Sequence, residues 1–237
     1  MNSEEPRHTK IITRGIHLKL VTYTKSLELC ARMNYETENL DFIDRIMPNE
    51  VFYDLGACEG RFSIYAAKKG IKVFSFEPDK KNFLAFTQNI LLNNIKLITA
   101  INAGVGSKTG KAVLKIGQPW EGGHQKVVDH GEVRDDLNFV FVEHQQIDVL
   151  SMDLYVENNP VPNYLKIDID GSEMPFLEGA SKTLQSTELK GIIFELNEKD
   201  KNFDQIVAVL TSNGFREQAR YNVPNESHLY NIVYLRN

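Results

Sequence analysis

The chain has 237 residues with 27 Lys and Arg against 32 Asp and Glu, a formal charge of −5, and is 42% hydrophobic, 10% aromatic and 25% charged. These values exclude global disorder, and the length allows one large domain, or a domain with a small appendage, that can bury a core without disulfides or metals. The charges are spread along the chain, which leaves no footprint for nucleic acid or an anionic membrane, and Cys30 and Cys58 match no metal or redox spacing.

Met1 to Lys10 alternates charge and polarity without the apolar segment of a leader, and no later run approaches the ~18 apolar residues of a membrane span. With free thiols expected in a reducing compartment, the location implied is cytoplasmic. Thr9 to Lys25 alternates like a strand pair, and Ser26 to Ile46 reads as helix with Leu27, Leu40, Ile43 and Ile46 available for burial. The Met47-Pro48-Asn49-Glu50 break then divides an N-terminal extension, residues 1–46, from the main domain, residues 47–237.

From Val51 the chain alternates strand and helix: a strand over Val51–Leu55, a helix from Arg61 to Lys69 stopped by Gly70, and a strand over Lys72–Phe76. A helix from Lys80 to Asn93 and a strand within Lys96 to Ala103 follow. Residues 117–146 interrupt the pattern and read as a lid or acceptor-binding loop. Strand Tyr164–Ile169, helix Ser172–Leu184, strand Ile192–Leu196 and helix Phe203–Asn213 resume it, and a hairpin of Phe215–Tyr221 with Leu229–Leu235 closes it. Such alternation predicts an α/β fold with a mostly parallel sheet, helices on both faces and one antiparallel strand from the closing hairpin. Ligands of these sheets sit outside the carboxyl ends of the strands, where strand order reverses.

The first strand ends in Asp54-Leu55-Gly56-Ala57-Cys58-Glu59-Gly60 and runs into a helix. Its Gly-x-x-x-Gly spacing lacks the third glycine of a dinucleotide loop, which disfavours a nicotinamide-dependent dehydrogenase, and no Gly-Lys-Ser/Thr is present for phosphate. Acid in and beside the loop suits a ligand with positive charge. The second strand ends in Glu77-Pro78, where a carboxylate can accept both hydroxyls of a ribose. S-adenosylmethionine fits: a ribose for Glu77, an ammonium and a sulfonium for the acidic loop, and a carboxylate for N–H groups near Gly60. The alternative is that Asp54 and Glu77 only cap turns. Hydrolase readings fall away, because there is no Gly-x-Ser-x-Gly elbow and neither cysteine has a local partner motif.

Three stretches, Val51 to Ser63, Phe76-Glu-Pro-Asp79 with Asn82-Phe83 and Asn89, and Leu165 to Glu173 with Leu177-Glu-Gly-Ala180, make the chain resemble the FkbM family of S-adenosylmethionine-dependent methyltransferases from Val51 to about Phe215. The resemblance implies a Rossmann-like class I methyltransferase fold, a seven-stranded sheet with a reversed last strand, and O-methylation of a saccharide or secondary-metabolite precursor. An N- or protein methyltransferase and a non-catalytic cofactor-binding module remain as alternatives. Cofactor contacts are expected from Asp54, Gly56, Ala57, Cys58, Gly60, Glu77, Pro78, Asn102 and Asp168. Similar proteins commonly carry Asn where Cys58 stands.

Asp168 falls near the carboxyl end of the fourth core strand, facing the methyl-transfer site in a sheet of this kind. It could orient the cofactor ammonium, hold the acceptor hydroxyl or act as its base; alternatively it pairs with Lys166 on the same strand face. Asp170 and Glu173 read as caps of the next helix. With Asp168 and Glu195 they make an oxygen-rich set that could hold Mg²⁺, but no spacing forces it and no metal site is assigned. In the loop, Trp120 could stack on a sugar face and His124 could deprotonate the acceptor, or both pack the loop onto the sheet. Glu195 completes the expected acceptor contacts. His8, His17 and His228 receive no role. The extension and an exposed sheet edge could support a homodimer.

Overall fold

The computed structural model describes residues 6–129, 140–224 and 226–236. In the extension, β1 (His8–Thr13) and β2 (Ile16–Val21) pair antiparallel across Arg14-Gly15, both at positive φ. The single helix expected over Ser26–Ile46 is instead two, α1 (Lys25–Cys30), capped by Thr24, and α2 (Thr37–Ile43). The buried pair Leu27 and Ala31 falls out of helical phase with Leu40 and Ile43, so one straight helix could not bury both sets.

The main domain begins with β3 (Val51–Leu55), α3 (Arg61–Lys68), β4 (Lys72–Phe76), α4 (Lys80–Leu92) and β5 (Ile98–Ile101). A second sheet interposes β6 (Gly104–Val105), β7 (Gly110–Ile116), β8 (Lys126–Asp129) and β9 (Glu143–Leu150). Then come α5 (Met152–Tyr155), β10 (Tyr164–Ile167), α6 (Glu173–Gly179), α7 (Ser181–Gln185), β11 (Gly191–Asn197), α8 (Phe203–Ser212), β12 (Phe215–Asn222) and β13 (Leu229–Arg236).

The main sheet has seven strands in the order β12-β13-β11-β10-β3-β4-β5. The neighbours from β11 to β5 run parallel, and β13 lies antiparallel between β11 and β12. This is the predicted Rossmann-like sheet with its reversed last strand. Chain order reverses between β3 and β10, so the carboxyl ends of these two strands mark the ligand crevice.

Side chains alternate across the sheet with period two. Tyr53, Leu55, Leu165, Ile167 and Phe194 face α6 to α8 through Phe176, Leu184 and Leu210. Phe52, Val73, Ile193 and Val233 face the other way, onto Ile64 and Phe86 and onto Leu18, Leu40 and Phe42 of the extension. Extension and main domain thus share one core on this face.

Two further expectations need correction. Residues 117–146 are not wholly loop: Lys126–Asp129 is β8, paired with β7, and β9 starts at Glu143, with Leu114, Val128 and Ile147 as a small core. A four-residue strand carries too short an alternation to be read locally. His130 and Gly131, assigned to the same loop, lie outside the described residues. The helix expected over Ser172–Leu184 breaks at Ala180. There Gly179 packs on the Gly106 backbone, and the Asp153 carboxylate accepts the Lys182 and Thr183 N–H groups at 2.9 and 2.8 Å, which starts α7 afresh. Among the described residues no helix is long and apolar enough to cross a membrane.

Candidate functional site

The loop from β3 to α3 turns on left-handed residues, Gly56 (φ 79°), Cys58 (φ 52°) and Gly60 (φ 80°). The N–H groups of Gly56 and Ala57 both donate to the Phe76 carbonyl at 3.0 Å, which binds the loop to the end of β4. A Cβ on Gly56 would overlap the Asp168 carbonyl oxygen, and one on Gly60 would overlap the Phe86 ring. Glycine is therefore needed at both places for close approach as well as for φ.

Glu77, at the end of β4, is 5% exposed. Its Oε2 accepts the Cys58 N–H at 2.8 Å and its Oε1 the Asp79 N–H at 2.9 Å. Each oxygen keeps a second acceptor direction for a ligand hydroxyl. Burial pushes this carboxyl up to about 7, opposed by nearby Lys126 and by the bond from Asp79.

A polar layer runs beneath the crevice. Lys166 on β10 sits in register with Asp54 on β3, and its Nζ lies 3.0 Å from Asp168 Oδ2 and 3.7 Å from Asp54 Oδ1. Burial pulls the ammonium down, but Asp168 and Asp54 outweigh it and hold it above the ordinary lysine value. Asp54 is 1% exposed and accepts a 2.5 Å hydrogen bond from Ser63 Oγ. Burial pushes its carboxyl up, against Lys166 and Ser63. Glu195, half-buried at the carboxyl end of β11, is pushed well above the usual carboxylate range by burial and by Asp168, Glu36 and Asp170.

Above this layer lies a cleft of about 930 Å³. Of the predicted residues, Gly56, Ala57, Cys58, Glu77, Pro78, Asp168, Glu195 and His124 line it. Four others do not. Asp54 belongs to the strand rather than the loop, one layer down, where it holds Lys166. Gly60 is the N-cap of α3, covered by Phe86. Asn102 turns its amide back to donate to the Glu77 and Pro78 carbonyls at 2.8 and 3.1 Å, so it braces the turn that presents Glu77. Trp120 donates its indole N–H to Ser26 Oγ at 2.8 Å and pins its segment to α1. Both readings of Asp168 thus meet in one place: it pairs with Lys166 and faces the cleft.

The sequence reading missed Tyr35 and Glu36, which the extension brings to the cleft. Arg61 anchors them: its guanidinium reaches Glu36 at 2.7 Å and Glu59 at 3.0 Å and lies 4.7 Å from the Tyr35 ring centroid. His228 also lines the cleft, 3.0 Å from Glu198. No local pattern signals either contact. Among the described residues no group of three or more His, Cys, Asp or Glu is placed to hold a metal ion.

Residues 54–217 match the model of the methyltransferase FkbM domain. A protein of Beauveria bassiana named methyltransferase 1 is 25% identical over 195 residues, 73% of this chain and 78% of its own length. The hexuronic acid methyltransferase AglP of Haloferax volcanii is 27% identical over 140 residues, 58% of this chain and 53% of the relative. Among solved structures, the methyltransferase FkbM of Methylobacillus flagellatus aligns with a TM-score of 0.53 at 21% identity, over 81% of this chain and 44% of that one. The precorrin-6y C5,15-methyltransferase of Geobacter metallireducens gives 0.51 at 11% identity over 96% and 95%. The chain therefore spans about half the length of the archaeal relative and less than half of the FkbM structure, and the structural likeness is one of fold.

Proposed function

The chain belongs to the FkbM methyltransferase family, and from that premise we propose that it uses S-adenosylmethionine to methylate a hydroxyl of a saccharide or a secondary-metabolite precursor. One observation carries the cofactor reading: a buried carboxylate, Glu77, fixed by two backbone N–H groups with acceptor directions left over. Two vicinal hydroxyls of a ribose match that pair of oxygens. The close backbone at Gly56 to Cys58 leaves room for the rest of the nucleoside, and the carboxylates of the cleft suit its cationic end.

When bound, this cofactor offers a methyl group on a sulfonium whose leaving group is a neutral thioether, so alignment supplies much of the acceleration. The protein's part is positional. Lys166, 3.0 Å from its Oδ2, aims Asp168, and Asp168 in turn can accept the proton of an acceptor hydroxyl or a hydrogen bond from the ammonium of the cofactor. His124, exposed on the cleft, is the second group we assign to proton removal, and Glu195 the second acceptor contact. The named activity of the archaeal relative makes uronic acids and their glycosides the first acceptors to try.

The test is calorimetric titration of the purified protein with S-adenosylmethionine, S-adenosylhomocysteine and NAD, with Mg²⁺ and with chelator. Selective binding of the first two supports the reading, and replacing Glu77 by Ala should then cost about 1.5–3 kcal/mol of cofactor affinity, the worth of a charged hydrogen bond. Preference for NAD, or unchanged affinity in the variant, overturns it. With an acceptor in hand, Asp168→Asn and His124→Ala should each lower turnover more than cofactor affinity.

A further inference from the structure

We infer that Lys126 is a positioning residue for the cofactor: from β8, outside the glycine loop, its ammonium supplies the positive charge beside which the Glu77 carboxylate receives the ribose. The inference rests on the cofactor reading above and adds to it a residue of the second sheet.

Lys126 opens β8 and stands opposite Ile116 on β7. Its side chain is 8% exposed, and its Nζ lies 3.0 Å from Oδ1 of Asp79, which is 2% exposed. A charge so deeply buried needs a partner. Asp79 is fixed to be one, because the same Oδ1 accepts the Asn82 N–H at 2.8 Å and caps α4. The Asp79 N–H in turn donates to Glu77 Oε1 at 2.9 Å. One short turn therefore sets two buried carboxylates beside the Lys126 side chain, and Glu77 and Lys126 both line the cleft.

The other groups around Glu77 differ in kind. Cys58 gives it an N–H and a thiol that burial keeps neutral. Asn102 and Gln145 meet the carbonyls of the turn with uncharged amides. Lys80, Lys111 and Asp148 line a second cavity, of about 310 Å³, that shares only Pro78 with the cleft. Burial raises the Glu77 carboxyl and the Asp79 charge adds to the rise, while Lys126 opposes it more than either N–H group does.

A ribose brings two hydroxyl donors and no charge. It binds a carboxylate better than the neutral acid, one of whose oxygens carries its own proton. Neighbouring carboxylates oppose each other's ionisation, and a cation within a few ångströms restores it. Lys126 so placed favours the form of Glu77 that the ribose needs. The connection from β7 to β8 that carries His124 thereby also carries the charge that readies the cofactor site.

The experiment is calorimetric titration of S-adenosylhomocysteine into the full chain and its variants from about pH 5.5 to 9, with S-adenosylmethionine at neutral pH and a thermal melt of each variant. Comparison with the parent at each pH cancels the ligand's own titration. Lys126→Gln, which keeps a donor for Asp79 and removes the charge, should weaken binding by about tenfold at pH 7 and by less than about twofold at pH 9, as its binding profile moves up by about one pH unit. Lys126→Arg should follow the parent within about twofold. Lys115→Gln, which removes a cation paired with Asp129 at 2.9 Å on the same sheet, should leave the profile in place. Weakening by one factor at every pH, as a merely structural lysine would give, or an unchanged profile overturns the inference. If Lys126→Gln does not fold, the same comparison is made between Asp79→Asn, which keeps the helix cap, and Asp79→Asn with Lys126→Gln, where that acid is no longer left unpaired. Failure of the parent to bind either ligand instead overturns the cofactor reading itself.

Discussion

Gly56 and Asp168 meet backbone to backbone. No side chain fits on Gly56 because a Cβ would overlap the Asp168 carbonyl oxygen, and the Asp168 N–H donates to Leu55 at 3.0 Å immediately before it. The turn that leaves β3 is therefore seated on the end of β10. In this way the loop from Gly56 to Gly60 and the Lys166-Ile167-Asp168 segment, far apart in sequence, become one wall of the cleft.

Gly56→Ala should accordingly be severe. The substitution meets both a left-handed φ and a backbone atom that cannot rotate away, so the loop or the strand end must shift. We expect a loss of about 2–4 kcal/mol in unfolding free energy. Cofactor binding should fall with it. Chemical denaturation and titration of the variant measure both, and a stability within about 0.5 kcal/mol of the parent would contradict the packing described.

Glu77 makes the stability of the free protein depend on pH in a definite direction. Its folded value of about 7 lies above the ordinary 4.5, so between these limits the folded state holds a proton that the unfolded chain has released. The contribution is fully present below 4.5 and is lost as pH rises through 7, to a total of about 3 kcal/mol. Other groups largely cancel when Glu77→Gln is compared with the parent at each pH. The parent's stability relative to the variant should fall from pH 4.5 to 8, while its affinity for S-adenosylmethionine should rise over the same range as the carboxylate forms. A flat stability difference would refute the assignment.

Lys166 is the one cation between Asp54 and Asp168 in the hydrogen-bonding and ion-pair pattern of the described residues. Lys166→Met leaves Asp54 buried without it, a loss of about 3–5 kcal/mol by the usual cost of breaking a buried pair. Burial already pushes Asp54 up, and without the ammonium it moves further. A carboxyl raised in the folded state loses stability as pH rises, so the deficit should be smallest at acid pH and grow toward neutrality. Adding Asp54→Asn should recover part of it, and equilibrium unfolding of the single and double variants measures the coupling.

What could be read from the sequence was local. Gly56, Gly60 and the strand-end Glu77 follow from short patterns whose geometry is fixed by the chain around them, and the Lys166 and Asp168 pairing follows from alternation along one strand. The depth of Asp54 was different: it depends on β3 and β10 being neighbours in register, which no local pattern states. Glu36 meets Arg61 across 25 residues, and β8 finds its partner through a pairing that a four-residue segment cannot announce. The extension therefore read as an appendage, although its Leu18, Leu40 and Phe42 complete one face of the main core.

Cys58 offers a last test, of how far its backbone conformation constrains the position. The residue sits at φ 52°, a region where Asn is enriched and most other side chains are strained. Its N–H holds Glu77, a bond that any residue can make. Burial and the neighbouring Glu59 push the thiol well above its ordinary value, so it should react slowly with a thiol reagent at neutral pH. Cys58→Asn should then be neutral or stabilising by up to about 1 kcal/mol. It should also retain cofactor affinity, whereas Cys58→Val, β-branched in a left-handed position, should lose stability. Thermal melts of the two variants beside the parent give the answer: if Asn and Val behave alike, the backbone conformation is not what constrains this position.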